Sequence, residues 1–399
     1  MRIYILSLIV VIMLGCCKDK QPDINTIETV WKVPLSNGLE TSSTCPIIYK
    51  DIVIYSADDN GDKSKSKLIA LNKETGQKVW EWKNTKQSTG TIPTNYTYSY
   101  NNVLIVPLLG QTRQVVAINL DNGATIWHTI LPEGGTWQLA GIGNKVFHLR
   151  GNFDRMKDEI FVADVNTGIW QSVYAASNVN APIFISGMHT YKGNDNKNYL
   201  AFLVGKFKDF VFSEGESTIF KYSIDSNKLV YEKKLDFLNK RSQPSLLAVN
   251  QDKFWLKGAP VYGLNEANGE KTLEMTAPFP EELSGNIAVF DDKVFMPRTQ
   301  TLACYDAKVG KFLWQETGRT SGLPSLLKYH KGILYYTSLS DGKFHAIDGT
   351  TGKAIYDIVS PDKKSNGQGG FDLAITIDSV NNRVYTASYY SAICYKTAK

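Results

Sequence analysis

Past residue 14 the chain lacks any apolar run approaching the roughly 20 residues that a membrane-spanning helix needs, which excludes a multi-span membrane protein. Cysteine is scarce, five in 399 residues with no CxxC pair, so neither a disulfide framework nor a zinc knuckle is indicated. Cys45, Cys304 and Cys394 read as buried small apolar side chains, and an oxidising compartment would allow one bridge if two of them lay close. An excess of one charge is missing too. Forty-four Lys and Arg face 39 Asp and Glu, and the resulting +5 is spread too evenly for a polyanion-binding surface, so nucleic acid is not expected as a partner.

Catalytic signatures are equally absent. Neither a GxSxG nucleophile turn nor a phosphate-cradling GxxxxGK(S/T) loop occurs. His128, His148, His189, His330 and His345 are dispersed, without the paired spacing of a zinc site. Asp58-Asp59-Asn60-Gly61-Asp62 spaces its acids like the start of a calcium loop, but Lys63 takes the glycine slot and Ile69 the twelfth position, so a solvated loop is expected. No catalytic, cofactor-binding or metal-ligating residue is assigned, no cofactor is expected, and the chain reads as no enzyme.

What the chain does contain begins at its N-terminus. Arg2 precedes a largely apolar stretch to Leu14, followed by Gly15-Cys16-Cys17-Lys18, the layout of an export signal. Met13-Leu14-Gly15-Cys16 resembles the bacterial lipobox, in which the peptide is cut before a cysteine whose thiol carries diacylglycerol, and the resemblance implies Cys16 as the lipid-bearing residue. Cleavage before Cys17 would put Cys16 in the slot that small Gly15 suits better, and an ordinary secretory cleavage is the alternative. Residues 1–15 then form the signal peptide and 16–27 a lipidated tether. Cys17 stands where an inner-membrane retention signal would have Asp, which favours lipid anchoring at the outer membrane and leaves its periplasmic or cell-surface face open. Lys18-Asp19-Lys20 resembles the surface-export signals of Bacteroidetes lipoproteins.

Thirty-one Gly and 21 Tyr lean toward strands and tight turns, and an internal repeat explains them. Segments 68–83, 115–130, 302–317 and 344–359 share one pattern, with weaker copies at 160–175, 220–235 and 261–276. The turn residue falls at Gly76, Gly123, Gly168, Asn227, Gly269, Gly310 and Gly352, a period of 41 to 59 residues that means a propeller or solenoid. Gly and Asn there supply positive φ to a hairpin turn. Four residues earlier Asn72, Asn119, Asp164, Asn265, Asp306 or Asp348 is placed to accept turn amides. Six residues before the turn the side chain is usually small (Ala70, Ala117, Gly263, Cys304, Ala346), and four after it stands a ring (Trp80, Trp127, Tyr231, Trp314, Tyr356), as closely interdigitated sheets would require.

A second hairpin precedes each of these, so one repeat is a four-stranded blade. Segment 371–396 supplies only three strands, with Cys394 in the small slot, and Thr29 to Leu35 supplies a lone strand whose Trp31 matches Trp80. The expectation is an all-β, eight-bladed propeller of antiparallel blades over residues 28–399, its last blade closed by the N-terminal strand, which removes a free sheet edge.

The hairpin from Ala70 to Trp80 resembles the pyrroloquinoline-quinone-like repeat of quinoprotein-type eight-bladed propellers, and the BamB-like lipoproteins of the outer-membrane barrel-assembly machinery look nearest in length, anchor and blade count. That resemblance implies a noncatalytic scaffold for envelope or outer-membrane proteins, held to the membrane by its lipid. Quinoprotein dehydrogenases of the same repeat carry a vicinal cysteine disulfide and long insertions, whereas the Cys-Cys pair here is Cys16-Cys17 in the lipobox. The alternative is a ligand- or glycan-binding propeller, or a quinoprotein-type enzyme, using its axial funnel or loops. Candidate surfaces are the long fourth interval (187–200 and 206–218) and the tyrosines of 95–101 and of Tyr389-Tyr390, which sugar stacking, protein contact and strand alternation explain equally.

Overall fold

The computed structural model describes residues 27–35, 45–59, 62–83, 97–108, 114–131, 138–151, 156–178, 182–208, 214–238, 245–250, 252–257, 260–275, 287–299, 301–317, 325–338, 341–364 and 369–398. The signal, most of the tether and Cys16 lie outside them. The expected architecture is the observed one: eight four-stranded antiparallel sheets form an eight-bladed propeller. Seven blades run through residues 47–83, 98–130, 139–177, 183–234, 245–275, 288–317 and 328–359, each a simple meander. The eighth takes Phe371–Asp378, Arg383–Ser388 and Ser391–Lys396 and receives Thr29–Pro34 as its outer strand. First strands touch at five of the eight blade junctions, that of blades eight and one among them, so the ring is closed.

Two faces follow from the meander. Turns joining first to second and third to fourth strands lie on one face, here the tight-turn face. Joins from second to third strand and from blade to blade lie on the other, the connector face. Antiparallel strands joined in order permit no other arrangement.

Middle strands such as Val103–Leu108 and Gln114–Asn119 are almost wholly buried because a neighbouring blade covers each side, and so they read as continuous apolar runs. Outer strands alternate, as in Lys78–Lys83, where Trp80 and Trp82 point inward between exposed lysines. No blade has a private core. Each hydrophobic cluster is shared by two adjacent blades, and the eight clusters occupy the eight junctions.

The small-residue and ring positions are direct cross-strand partners: Ala70 with Trp80, Ala117 with Trp127, Cys304 with Trp314, Ala346 with Tyr356, and Cys394 with Trp31. The indole then reaches the next blade. Trp31, Trp80, Trp127 and Trp314 donate their N–H to the main-chain carbonyls of Lys73, Leu120, Val165 and Gly349 at 2.8 to 3.3 Å. That carbonyl always lies three residues before the turn glycine, and the ring covers the glycine itself. A Cβ on Gly123 would stand 2.7 Å from Trp80, and one on Gly352 would stand 2.6 Å from Trp314. The turn glycines therefore answer two demands at once, positive φ (+75° at Gly123) and room for a neighbour's ring. The Asn and Asp side chains accept turn amides as expected, for example Asn72 from Glu74 and Thr75.

Candidate functional site

Blade four breaks the repeat in a way that creates a polar interior. At the position where most other repeats hold Ala, Gly or Cys, and blade three Val162, it has Lys221, paired across the sheet with Tyr231. A buried ammonium needs a counter-charge. Glu266 provides it from the second tight turn of blade five, its carboxylate 2.5 Å from Lys221 Nζ, with both side chains buried. Tyr191 donates its hydroxyl to the same carboxylate at 2.5 Å, and the Lys221 ammonium lies 4.1 Å above the Tyr199 ring centroid. Tyr199 donates to Asp195 at 2.7 Å. Tyr231 donates to the Glu266 carbonyl at 3.0 Å, taking the part that tryptophan plays at other junctions.

Beside this network the tight-turn face carries a recess of about 370 Å³, lined by Asn194 from blade four, Asp252, Lys253, Glu266 and Thr272 from blade five, and Lys308 from blade six. Its lysines are engaged. Lys253 bonds Asp252 at 2.7 Å and Lys308 bonds Asp292 at 2.6 Å. Burial, and then the bond to Glu266, push the Tyr191 hydroxyl far above its ordinary pKa; burial, and then Asp195, push Tyr199 up to about 12. These phenols stay protonated at neutral pH and act as donors rather than bases. The recess thus offers hydrogen bonds to a small polar group, while Lys221 and Glu266 satisfy each other behind it.

A second buried cluster lies in blade seven. His345 Nδ1 is 2.7 Å from Asp357 and Nε2 is 3.2 Å from Asp341, with the Tyr336 ring stacked at 4.8 Å. Burial of the imidazole disfavours its charge, but the bonds and charges of Asp341 and Asp357 outweigh that, and its pKa is raised. Among the described residues no group of three or more His, Cys, Asp or Glu is arranged to hold a metal ion, and no helix is long and apolar enough to cross a membrane.

The residues singled out from sequence fall as follows. Cys304 and Cys394 are buried free thiols, and Cys45 is half-buried; burial pushes the first two up to about 12. The expected loop at 58–62 is the end of a hairpin, with Asp59 paired to Asp62 and residues 60 and 61 outside the described set. Tyr98 is committed to a junction: its ring covers Gly141 and its hydroxyl donates to the Gly143 carbonyl at 2.7 Å, which is the strand-alternation reading. Tyr390 stands 5.0 Å from the Lys364 ammonium, leaving its surface role open to protein or sugar contact. In the long fourth interval, where extended loops or strands are expected, Ile183–Lys192 and Asn198–Phe207 are ten-residue strands, and residues 209–213 lie outside the described set. Sequence reasoning passed over Lys221, although a lysine in a slot otherwise filled by uncharged, mostly small residues was a visible signal.

The family profile of outer membrane protein assembly factor BamB matches residues 22–189 and 238–399. This chain belongs to the BamB family. The span that the family profile does not cover, 190–237, contains Tyr191, Tyr199, Lys221 and Tyr231 of the polar interior of blade four. Among solved structures, BamB from Moraxella catarrhalis is similar at 15% identity and TM-score 0.59, covering 94% of this chain and 98% of that one. Quinohemoprotein alcohol dehydrogenase ADHIIG from Pseudomonas putida HK5 is similar at 13% identity and TM-score 0.63, covering 94% and 77%. The computationally designed Ika8 protein is similar at 15% identity and TM-score 0.60, covering 91% and 99%. Likeness at these identities is one of fold, and enzymes and a designed protein share it. No curated protein sequence matches the chain.

Proposed function

We propose that this BamB-family propeller is a lipid-anchored scaffold of the outer membrane that binds envelope proteins during their assembly and performs no catalytic step of its own. The observation that carries the reading is the family match on both sides of blade four. In this reading residues 1–15 are removed, Cys16 takes the lipid, 16–27 form the tether and 28–399 the propeller. The locked tyrosines and paired charges of the blade-four interior suit a rigid support better than a reacting centre.

The test is affinity capture of the acylated protein from its native envelope, with mass spectrometry of what accompanies it. Barrel-assembly subunits are expected in the eluate, and their consistent absence would overturn the role. A second reading, a ligand- or glycan-binding propeller, draws on the recess over blade five. Saturable binding of a soluble glycan that disappears in Asn194→Trp would favour it.

A further inference from the structure

The chain reaches the propeller at a defined place. Glu28 accepts the main-chain N–H of Lys396 at 3.0 Å, and its carboxylate lies 2.6 Å from the Lys396 ammonium. Thr29 pairs with Tyr395, at the end of the third strand of blade eight. Third strands end, and outer strands begin, on the tight-turn face, so Ile27 and Glu28 lie on that face at its rim. Between Cys16 and Ile27 the backbone spans at most about 40 Å. With the tight-turn face toward the anchor, little of that reach is used. With the connector face toward it, the tether must first run back along a six-residue outer strand, about 20 Å, which takes up about half of that reach and some of the tether's freedom.

A second observation is independent of the tether. The most exposed large apolar side chains among the described residues are Val380 at 85%, Val309 at 68% and Ile169 at 67%. All three occupy tight turns of this same face, in blades eight, six and three. Tips in three separated blades define a plane. The turn that carries Val380 adjoins the arriving chain, since the Thr397 N–H donates to the Asn382 carbonyl at 3.0 Å. Charge on this face is of mixed sign, with pairs such as Lys50 with Asp121 and Lys308 with Asp292, so apolar contact rather than polybasic attraction is what it offers to lipid.

We propose that the tight-turn face lies against the bilayer that holds the Cys16 lipid, with Val380, Val309 and Ile169 dipping among the headgroups and the connector face turned away. This rests on the anchor at Cys16. The test uses the mature acylated chain, with Cys17→Ser and Cys45→Ser, in phosphatidylethanolamine and phosphatidylglycerol vesicles containing nitroxide-bearing lipid. Bimane is placed on single cysteines at Val380→Cys, Val309→Cys and Ile169→Cys, and for comparison at Ile130→Cys and Val359→Cys, exposed apolar positions that end outer strands toward the connector face. Several-fold quenching at 380, 309 and 169, with little at 130 and 359, is the expected result. The reverse pattern overturns the orientation. Absence of quenching everywhere, with intact mass showing acylated Cys16, also overturns it and leaves the anchor standing. An unacylated mass removes the anchor and the orientation together. Far-ultraviolet circular dichroism melts of each variant confirm that the propeller is folded in every comparison.

Discussion

Gly123 and Gly310 occupy the same place in their repeats and share positive φ (+75° and +70°), yet alanine is expected to cost them differently. At Gly310 a Cβ would make only ordinary contacts, with Met275, Glu274 and Leu273 at 3.6 to 3.8 Å, so Gly310→Ala should lose about 1–2 kcal/mol from backbone strain alone. At Gly123 the same atom would press into Trp80 at 2.7 Å, adding about 1–3 kcal/mol of overpacking. Denaturant midpoints of the two variants check the difference. Blade five has Leu273 where six of the other blades carry a ring, so its neighbour's glycine has no ring above it. Lys221 and Glu266 give a second comparison. Lys221→Met leaves a buried carboxylate without its cation and is expected to destabilise by about 3–5 kcal/mol, whereas Lys221→Met with Glu266→Gln should recover much of that loss. A double-mutant cycle in urea measures the coupling.

At the scale of strands, the register shows why outer edges stay unpaired with other molecules. Ala70 faces Trp80 and Leu71 faces Lys78, so Val79 is an extra, bulged residue; Ile126, Val230 and Leu313 occupy the same position in blades two, four and six. Such a bulge twists the edge and interrupts the template that another strand would need. Val79, Ile126, Val230 and Leu313, four of the exposed apolar residues of the outer strands, are therefore bulge positions, a fact that their β-prone letters concealed. The third strand of blade seven carries a pH dependence. His345 has a folded pKa above its unfolded one, so its stabilisation is complete below about pH 6.5 and is lost as pH rises through the raised value. Burial raises the Asp341 pKa and the bond to His345 outweighs it, so its carboxyl is held low and its contribution is lost instead on acidification through that lowered value. Melting temperature should fall on the alkaline side of pH 6.5 in the native chain, and His345→Gln should flatten that limb.

For the whole molecule, eight shared cores make each blade dependent on two neighbours, and the ring holds only when blade eight is complete. Closure is reinforced beyond the strand pairing: Tyr385 donates to the Lys73 carbonyl at 3.2 Å, Lys73 lies 3.4 Å from Asp378, and the Ala398 N–H donates to the Tyr335 hydroxyl at 3.0 Å. Deletion of residues 371–399 is therefore expected to abolish cooperative unfolding; a truncated product with an undiminished single melting transition would show that closure is dispensable. The sequence by itself determined the strands, the blade count, the turn chemistry and the pairing of Trp31 with Cys394, because turns and hairpins are decided by residues close along the chain and the repeat displays them seven times. Only the tertiary structure decided that a turn glycine also makes room for the preceding blade's ring, that Glu266 neutralises a lysine 45 positions away, and that the chain arrives on the face bearing Val380. Those relations join different blades, and a contact across a junction has no local pattern until the ring closes and fixes which surfaces meet.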